Sequence, residues 1–160
     1  MKPQVILALD VDDFKKAKYF IDKLSKKIKT FKVGAHLFTA LGPEIIELIR
    51  RKGGEVFLDL KFFDIPNTVA QAVRMAVRHK VQMLTLHILG DEEMIKAAVI
   101  AAKDEAKKLK VKKPLLIGVT VLTSKEANSS DVLTLAKMGI ECGLDGVVCS
   151  AREAKMLRES

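Results

Sequence analysis

The chain has 160 residues, of which 49% are apolar and 30% charged, enough to bury one domain's core and unlike a disordered segment. Its net charge of +8 comes mostly from paired lysines such as Lys15-Lys16, Lys26-Lys27, Lys107-Lys108 and Lys112-Lys113, which fall on or beside segments of helical periodicity and read as solvated faces. With no Trp and one Tyr to interleave with these cations, a nucleic-acid surface has little support, and no apolar run approaches the ~20 residues of a membrane helix.

In chain order, Val5 to Leu9 is a strand ended by Asp10. Asp13 to about Ile28 follows as a helix whose Phe14, Ala17, Phe20, Ile21 and Leu24 share one face. Phe31 to Gly34 is a second strand and Pro43 to Arg51 a helix closed by Gly53-Gly54. Val56 to Leu60 is a third strand, with a helix from Thr68 to His79. Met83 to Leu86, Leu115 to Val121 and Gly146 to Cys149 complete the strands. Asp91 to Leu109, Ser130 to Met138 and Ala151 to Arg158 are the remaining helices. Lys113-Pro114 and Asn128-Ser129-Ser130 punctuate these elements without marking a domain boundary.

Six strand–helix units recurring every ~25–33 residues have the rhythm of a parallel βα fold. No GxGxxG follows a strand, so a dinucleotide-binding open sheet has little support. Asp10, Lys32, Asp59, Lys61, Asp64, His87 and Thr123 all fall at or just past the C-terminal ends of strands. In a barrel those ends form one rim, and residues distant in sequence meet there. The fold expected is therefore α/β, of the (β/α)8 TIM-barrel kind, with about six βα units present.

The chemistry concentrates in Asp59-Leu60-Lys61-Phe62-Phe63-Asp64-Ile65-Pro66-Asn67-Thr68. Residues two apart on a strand share a face, so Asp59 and Lys61 should point together. Charges placed in a low-dielectric interior persist only when paired. A single structural ion pair would satisfy that need, but Lys32 on the preceding strand end adds a further cation. His87 is expected to serve a polar network at the rim, and His36 and His79 to lie on the surface or on helices. Cys142 and Cys149, without CxxC spacing or paired histidines, read as free thiols in a reducing cytoplasm.

The segment from Asp59 to Thr68 resembles the DLKxHDIPNT signature of bacterial orotidine 5′-phosphate decarboxylases. Ala8-Leu9-Asp10, Lys32-Val33-Gly34, Phe38-Thr39 with Gly42-Pro43, Val119 to Ser124 and Cys142 to Ala151 agree with that family in order. The resemblance implies decarboxylation of orotidine 5′-monophosphate to UMP in pyrimidine biosynthesis, by a cytoplasmic homodimer that needs no metal or organic cofactor. It implies that Lys32, Asp59, Lys61 and Asp64 form an alternating charged tetrad, with Asp64 given across the dimer interface. Lys61 would then protonate C6 of the pyrimidine, Asp59 face the substrate carboxylate and Asp10 contact the ribose. Ile65, Pro66, Asn67, Thr68 and Thr123 would bind the nucleotide.

Two departures stand out: Phe63 replaces the signature's histidine, and His87-Ile88-Leu89-Gly90-Asp91 replaces a loop of small residues. Residues 1–160 are expected to be one βα-barrel domain lacking the family's last two βα units, which carry the main phosphate-binding arginines. Two alternatives accompany this reading. One is a non-catalytic remnant that binds nucleotide or serves a structural role. The other is a metal-dependent enzyme of the 3-keto-L-gulonate 6-phosphate decarboxylase or hexulose-phosphate synthase type, against which Lys32 and Ile65-Pro66-Asn67-Thr68 argue.

Overall fold

A computed structural model describes residues 4–121 and 128–159. Its strands are β1 (Ile6–Ala8), β2 (Thr30–Gly34), β3 (Glu55–Phe62), β4 (Met83–His87), β5 (Leu115–Val119) and β6 (Gly146–Val148). All neighbours are parallel and the order is β1-β2-β3-β4-β5-β6. A doubly wound sheet reverses its strand order at a switch point, whereas a barrel adds each strand beside the last. The uninterrupted order is that of a barrel, here a curled α/β part-barrel with β1 and β6 at its edges.

The helices are α1 (Phe14–Leu24), α2 (Ala35–Leu41), α3 (Glu44–Arg51), α4 (Pro66–Arg78), α5 (Asp91–Leu109), α6 (Ser129–Glu141) and α7 (Ala154–Glu159). Local chemistry sets their ends. Asp13 caps α1 by accepting the Lys16 N–H at 2.8 Å. Pro66 occupies the first turn of α4, where its missing N–H leaves no helical bond unmade. Asp91, Glu92 and Glu93 open α5 and Lys107 and Lys108 close it, each matching the helix dipole. In α3, Ile45, Ile46 and Ile49 are fully buried, each worth about 1.5–3 kcal/mol relative to exposure.

Alternation along the strands separates two chemistries. Leu58, Leu60 and Phe62 of β3 line an apolar cavity with Ile46 of α3 and Ala72 and Met75 of α4, so these residues face the helices. Phe31 and Val33 of β2 are likewise buried. Lys32 and Asp59 alternate with them and take the other face. Register levels the strand ends: Ala8 pairs with Lys32, and Gly34 with Asp59. The Leu9 N–H then reaches the Lys32 carbonyl at 3.0 Å, carrying Asp10 to the same rim.

Three local features depart from the sequence expectation. α2 is a short helix not expected from the sequence, with Leu37 buried and Phe38 and Leu41 partly buried against the core. Ile88–Gly90 forms a 3-10 turn after β4. α7 begins at Ala154, with residues 151–153 in a turn instead of its first helical turn.

Candidate active site

Four charged side chains meet in one row at the ends of β1, β2 and β3. Lys61 Nζ lies 2.9 Å from both carboxylate oxygens of Asp59. Lys32 Nζ stands 3.7 Å from Asp59 Oδ2 and 3.4 Å from Asp10 Oδ1. Cations and anions therefore alternate as Asp10, Lys32, Asp59, Lys61. Side-chain exposure is lowest at Asp59, 12%, and rises to 37% at Lys61 on one side and to 25% at Lys32 and 71% at Asp10 on the other. Asp59 is the anchor, and a carboxylate so placed needs the full set of donors it receives.

Asp59 and Lys61 converge by more than strand alternation. In the β3–β4 ladder Leu58 pairs with Leu84 and Phe62 with Leu86, so Asp59, Leu60 and Lys61 all stand opposite Thr85 alone. Lys61 takes a left-handed φ of 49° at this bulge, a conformation that costs a side-chain-bearing residue energy and recurs at functional sites. Thr85, fully buried, fills the break in the ladder. Its hydroxyl accepts the Lys61 N–H at 2.9 Å and donates to Asp59 Oδ1 at 2.9 Å. Thr85 is the site residue that sequence reasoning missed. The signal was there, a lone hydroxyl in the apolar run Met83-Leu84-Thr85-Leu86.

Asp64 stands apart from the row. Its carboxylate accepts the Ile65 N–H at 2.7 Å, and among the described residues it makes no ion pair with Lys32 or Lys61. Ile65 is exposed, and Pro66, Asn67 and Thr68 form the first turn of α4, the positive end of a helix dipole. Thr123 lies outside the described residues. His87 ends β4 with Nδ1 shielded from solvent and, among the described residues, without a hydrogen-bond partner. Burial, helped by the charge of Lys61, holds its imidazole below the usual histidine range, so it is neutral at neutral pH. Among the described residues no cluster of His, Cys, Asp and Glu has the makings of a metal site. What the row offers chemically is an ammonium fixed beside a carboxylate, able to stabilise an anion forming next to it and to give it a proton.

Comparison with known proteins agrees with this geometry. The family model described as "Orotidine 5'-phosphate decarboxylase / HUMPS family" matches residues 3–160. The orotidine 5'-phosphate decarboxylase of Moorella thermoacetica is 42% identical over 99% of this chain and 68% of its own length. That of Carboxydothermus hydrogenoformans is 43% identical over 99% of the chain and 70% of its own. Among solved structures, orotidine 5'-phosphate decarboxylase from Lactobacillus acidophilus superposes with a TM-score of 0.85 at 33% identity, covering 99% of this chain and 76% of that one. The Methanocaldococcus jannaschii enzyme, complexed with inhibitor BMP, gives 0.82 at 26% identity, covering 98% and 73%. Matched along nearly its whole length by that family model, and at more than 40% identity by those relatives, the chain belongs to the orotidine 5'-phosphate decarboxylase / HUMPS family.

Proposed function

We propose that this site removes CO₂ from orotidine 5′-monophosphate to give UMP, a step of pyrimidine biosynthesis, with Lys61 as the proton donor. The observation that carries the reading is the alternation Lys32, Asp59, Lys61 at one strand-end rim. When the C6–carboxylate bond breaks, its electron pair stays on C6, where no adjacent π system accepts it. The Lys61 ammonium stabilises that charge as it develops and then transfers a proton to C6. Asp59 faces the departing carboxylate and holds both lysines in place. Lys32 lies between two carboxylates and keeps the row paired once the substrate's own anion arrives.

Asp10 at the exposed end of the row is suited to the ribose hydroxyls. Ile65, Pro66, Asn67 and Thr68, at the N-terminal turn of α4, suit the nucleotide, and Thr123 is assigned to it by resemblance. Asp64 is read as serving the second site of a homodimer. Its lack of an ion pair among the described residues, and the exposed Phe63 and Ile65 beside it, support that role. Free Cys142 and Cys149 suit a reducing cytoplasm. No helix among the described residues is long and apolar enough to cross a membrane. On this reading residues 1–160 are one βα-barrel domain, two units short of the family's eight.

No cofactor enters the scheme. The metal-dependent alternative would need a cation bound against Asp59, and the Lys32 ammonium already takes that flank. The test is loss of orotidine 5′-monophosphate absorbance with the purified chain. Lys61→Ala should lower turnover by at least ~10²–10⁴-fold, the range expected for a lost general acid. Unchanged turnover in that variant overturns the assignment of Lys61. No turnover in the unmodified chain, with UMP bound no tighter than about millimolar, supports the non-catalytic remnant instead.

A further inference from the structure

Phe63 directly follows β3, leaves 60% of its surface exposed, and has no part in the charged row. Its ring meets the imidazole of His87 with centroids 5.4 Å apart and planes tilted by 49°. The backbone of Gly90 also approaches the ring closely. A Cβ there would lie 3.1 Å from Phe63 Cδ2 and 2.3 Å from Met94 Sδ, so only glycine leaves room for both side chains. Ile88, fully buried between Gly118 and Gly139, anchors this turn from below.

We infer that Phe63 is a positioning residue: by packing across His87 and Gly90 it fastens the β3–α4 connection to the rim of β4. Asp64 and Ile65 to Thr68 are thereby held at a fixed place relative to Lys61. The contact does a second thing. A neutral imidazole presents an apolar face to a phenyl ring, and it adds no further positive charge near the Lys61 ammonium. Among the described residues, Lys61 of β3 is the charged group bearing on His87. Phe63, Ile88 of the turn and Val119 across on β5 are apolar. Without the phenyl ring, water reaches the imidazole more freely and protonation becomes easier.

The kinetic part of this inference rests on the decarboxylase reading, but its structural part does not, and the experiment separates them. The three histidine imidazoles are titrated by NMR in the full chain, in Phe63→Ala and in Phe63→Tyr, with His87 assigned from a His87→Gln sample. Steady-state kinetics with orotidine 5′-monophosphate are run on the first three proteins at pH 6 and pH 8. In Phe63→Ala the His87 midpoint should rise by about half a unit or more. Its kcat/KM should fall about tenfold or more, mostly through KM, and further at pH 6 than at pH 8. Phe63→Tyr keeps the ring and should behave as the unmodified chain. An unmoved His87 midpoint together with unchanged KM in Phe63→Ala overturns the inference, as does Phe63→Tyr failing as badly as Phe63→Ala. A shifted midpoint with no turnover in any protein supports the packing role and removes the decarboxylase reading.

Discussion

Thr85 Oγ1 lies 2.9 Å from Asp59 Oδ1, and the same hydroxyl receives the Lys61 backbone N–H. One side chain on β4 thus fixes both the carboxylate that anchors the charged row and the strained backbone of the lysine beside it. The bulge on β3 would otherwise leave a part-buried N–H with no partner across the ladder.

Replacing Thr85 by valine keeps the shape and removes the hydroxyl. The orphaned N–H and the lost carboxylate donor should together destabilise the chain by about 1–3 kcal/mol, read as a lower urea midpoint with unchanged slope. Turnover should fall as well, because Lys61 loses its restraint. Thr85→Ser should recover most of both. A valine variant as stable as the unmodified chain would show that the bulge is held by something other than this hydroxyl.

Asp59 should separate activity from stability. Asp59→Asn leaves the two ammonium groups without their shared counter-charge, but Lys32 and Lys61 are exposed enough to hydrate, and the partly buried carboxylate disappears with its own desolvation cost. The expected stability change is therefore within about 1 kcal/mol, while turnover falls by orders of magnitude. Chemical denaturation alongside the absorbance assay checks both halves.

Gly118 and Gly139 leave room for the Ile88 side chain. A Cβ on Gly118 would lie 2.6 Å from Ile88 Cδ1. Gly118→Ala should cost about 1–3 kcal/mol by overpacking. Ile88→Val removes one of three close atoms and leaves Leu144 Cδ1 at 2.6 Å and Ile88 Cγ1 at 2.7 Å, so the double variant should recover only a small part of that loss, and a double-mutant cycle measures the coupling. Additive losses would mean that the alanine is accommodated elsewhere.

Between α4 and α5, Arg78 Nε donates to the buried Glu105 Oε1 at 2.7 Å. That guanidinium holds the Glu105 carboxyl below the usual glutamate range. A carboxyl depressed in the folded state stabilises it at pH values above the unfolded-chain pKa. The contribution is lost as pH falls through the depressed folded value. Thermal unfolding followed from pH 7 down to pH 3 should therefore lose Tm below the ordinary glutamate range, and Glu105→Gln should flatten that part of the curve. Parallel curves for the two proteins would remove Glu105 from the acid response.

The sequence was most legible where chemistry and period coincide. The Asp59 to Thr68 run stood out because charged residues interrupt an apolar strand, and the rim followed from polar residues at strand ends. α2 was not legible, since its apolar face of Leu37, Phe38 and Leu41 spans barely one turn and Gly34 and Gly42 bracket it like a loop. The β3 bulge was hidden because alternation alone already put Asp59 and Lys61 on one face. Only pairing with β4 reveals the extra residues and the need for Thr85. Asp10 was legible as a rim residue, but its contact with Lys32 depends on the register of β1 against β2.

The alternating row also shapes how an anionic substrate arrives. Two positive and two negative groups in close succession cancel one another at a distance, so the rim itself projects little long-range field. Attraction must come from the surplus of +8 spread over the rest of the chain. Capture should weaken as ionic strength rises and the Debye length shrinks to about 10 Å or less, while the bond-breaking step among contacting groups stays nearly indifferent to salt. Encounter and reaction are thus governed by different parts of the same molecule.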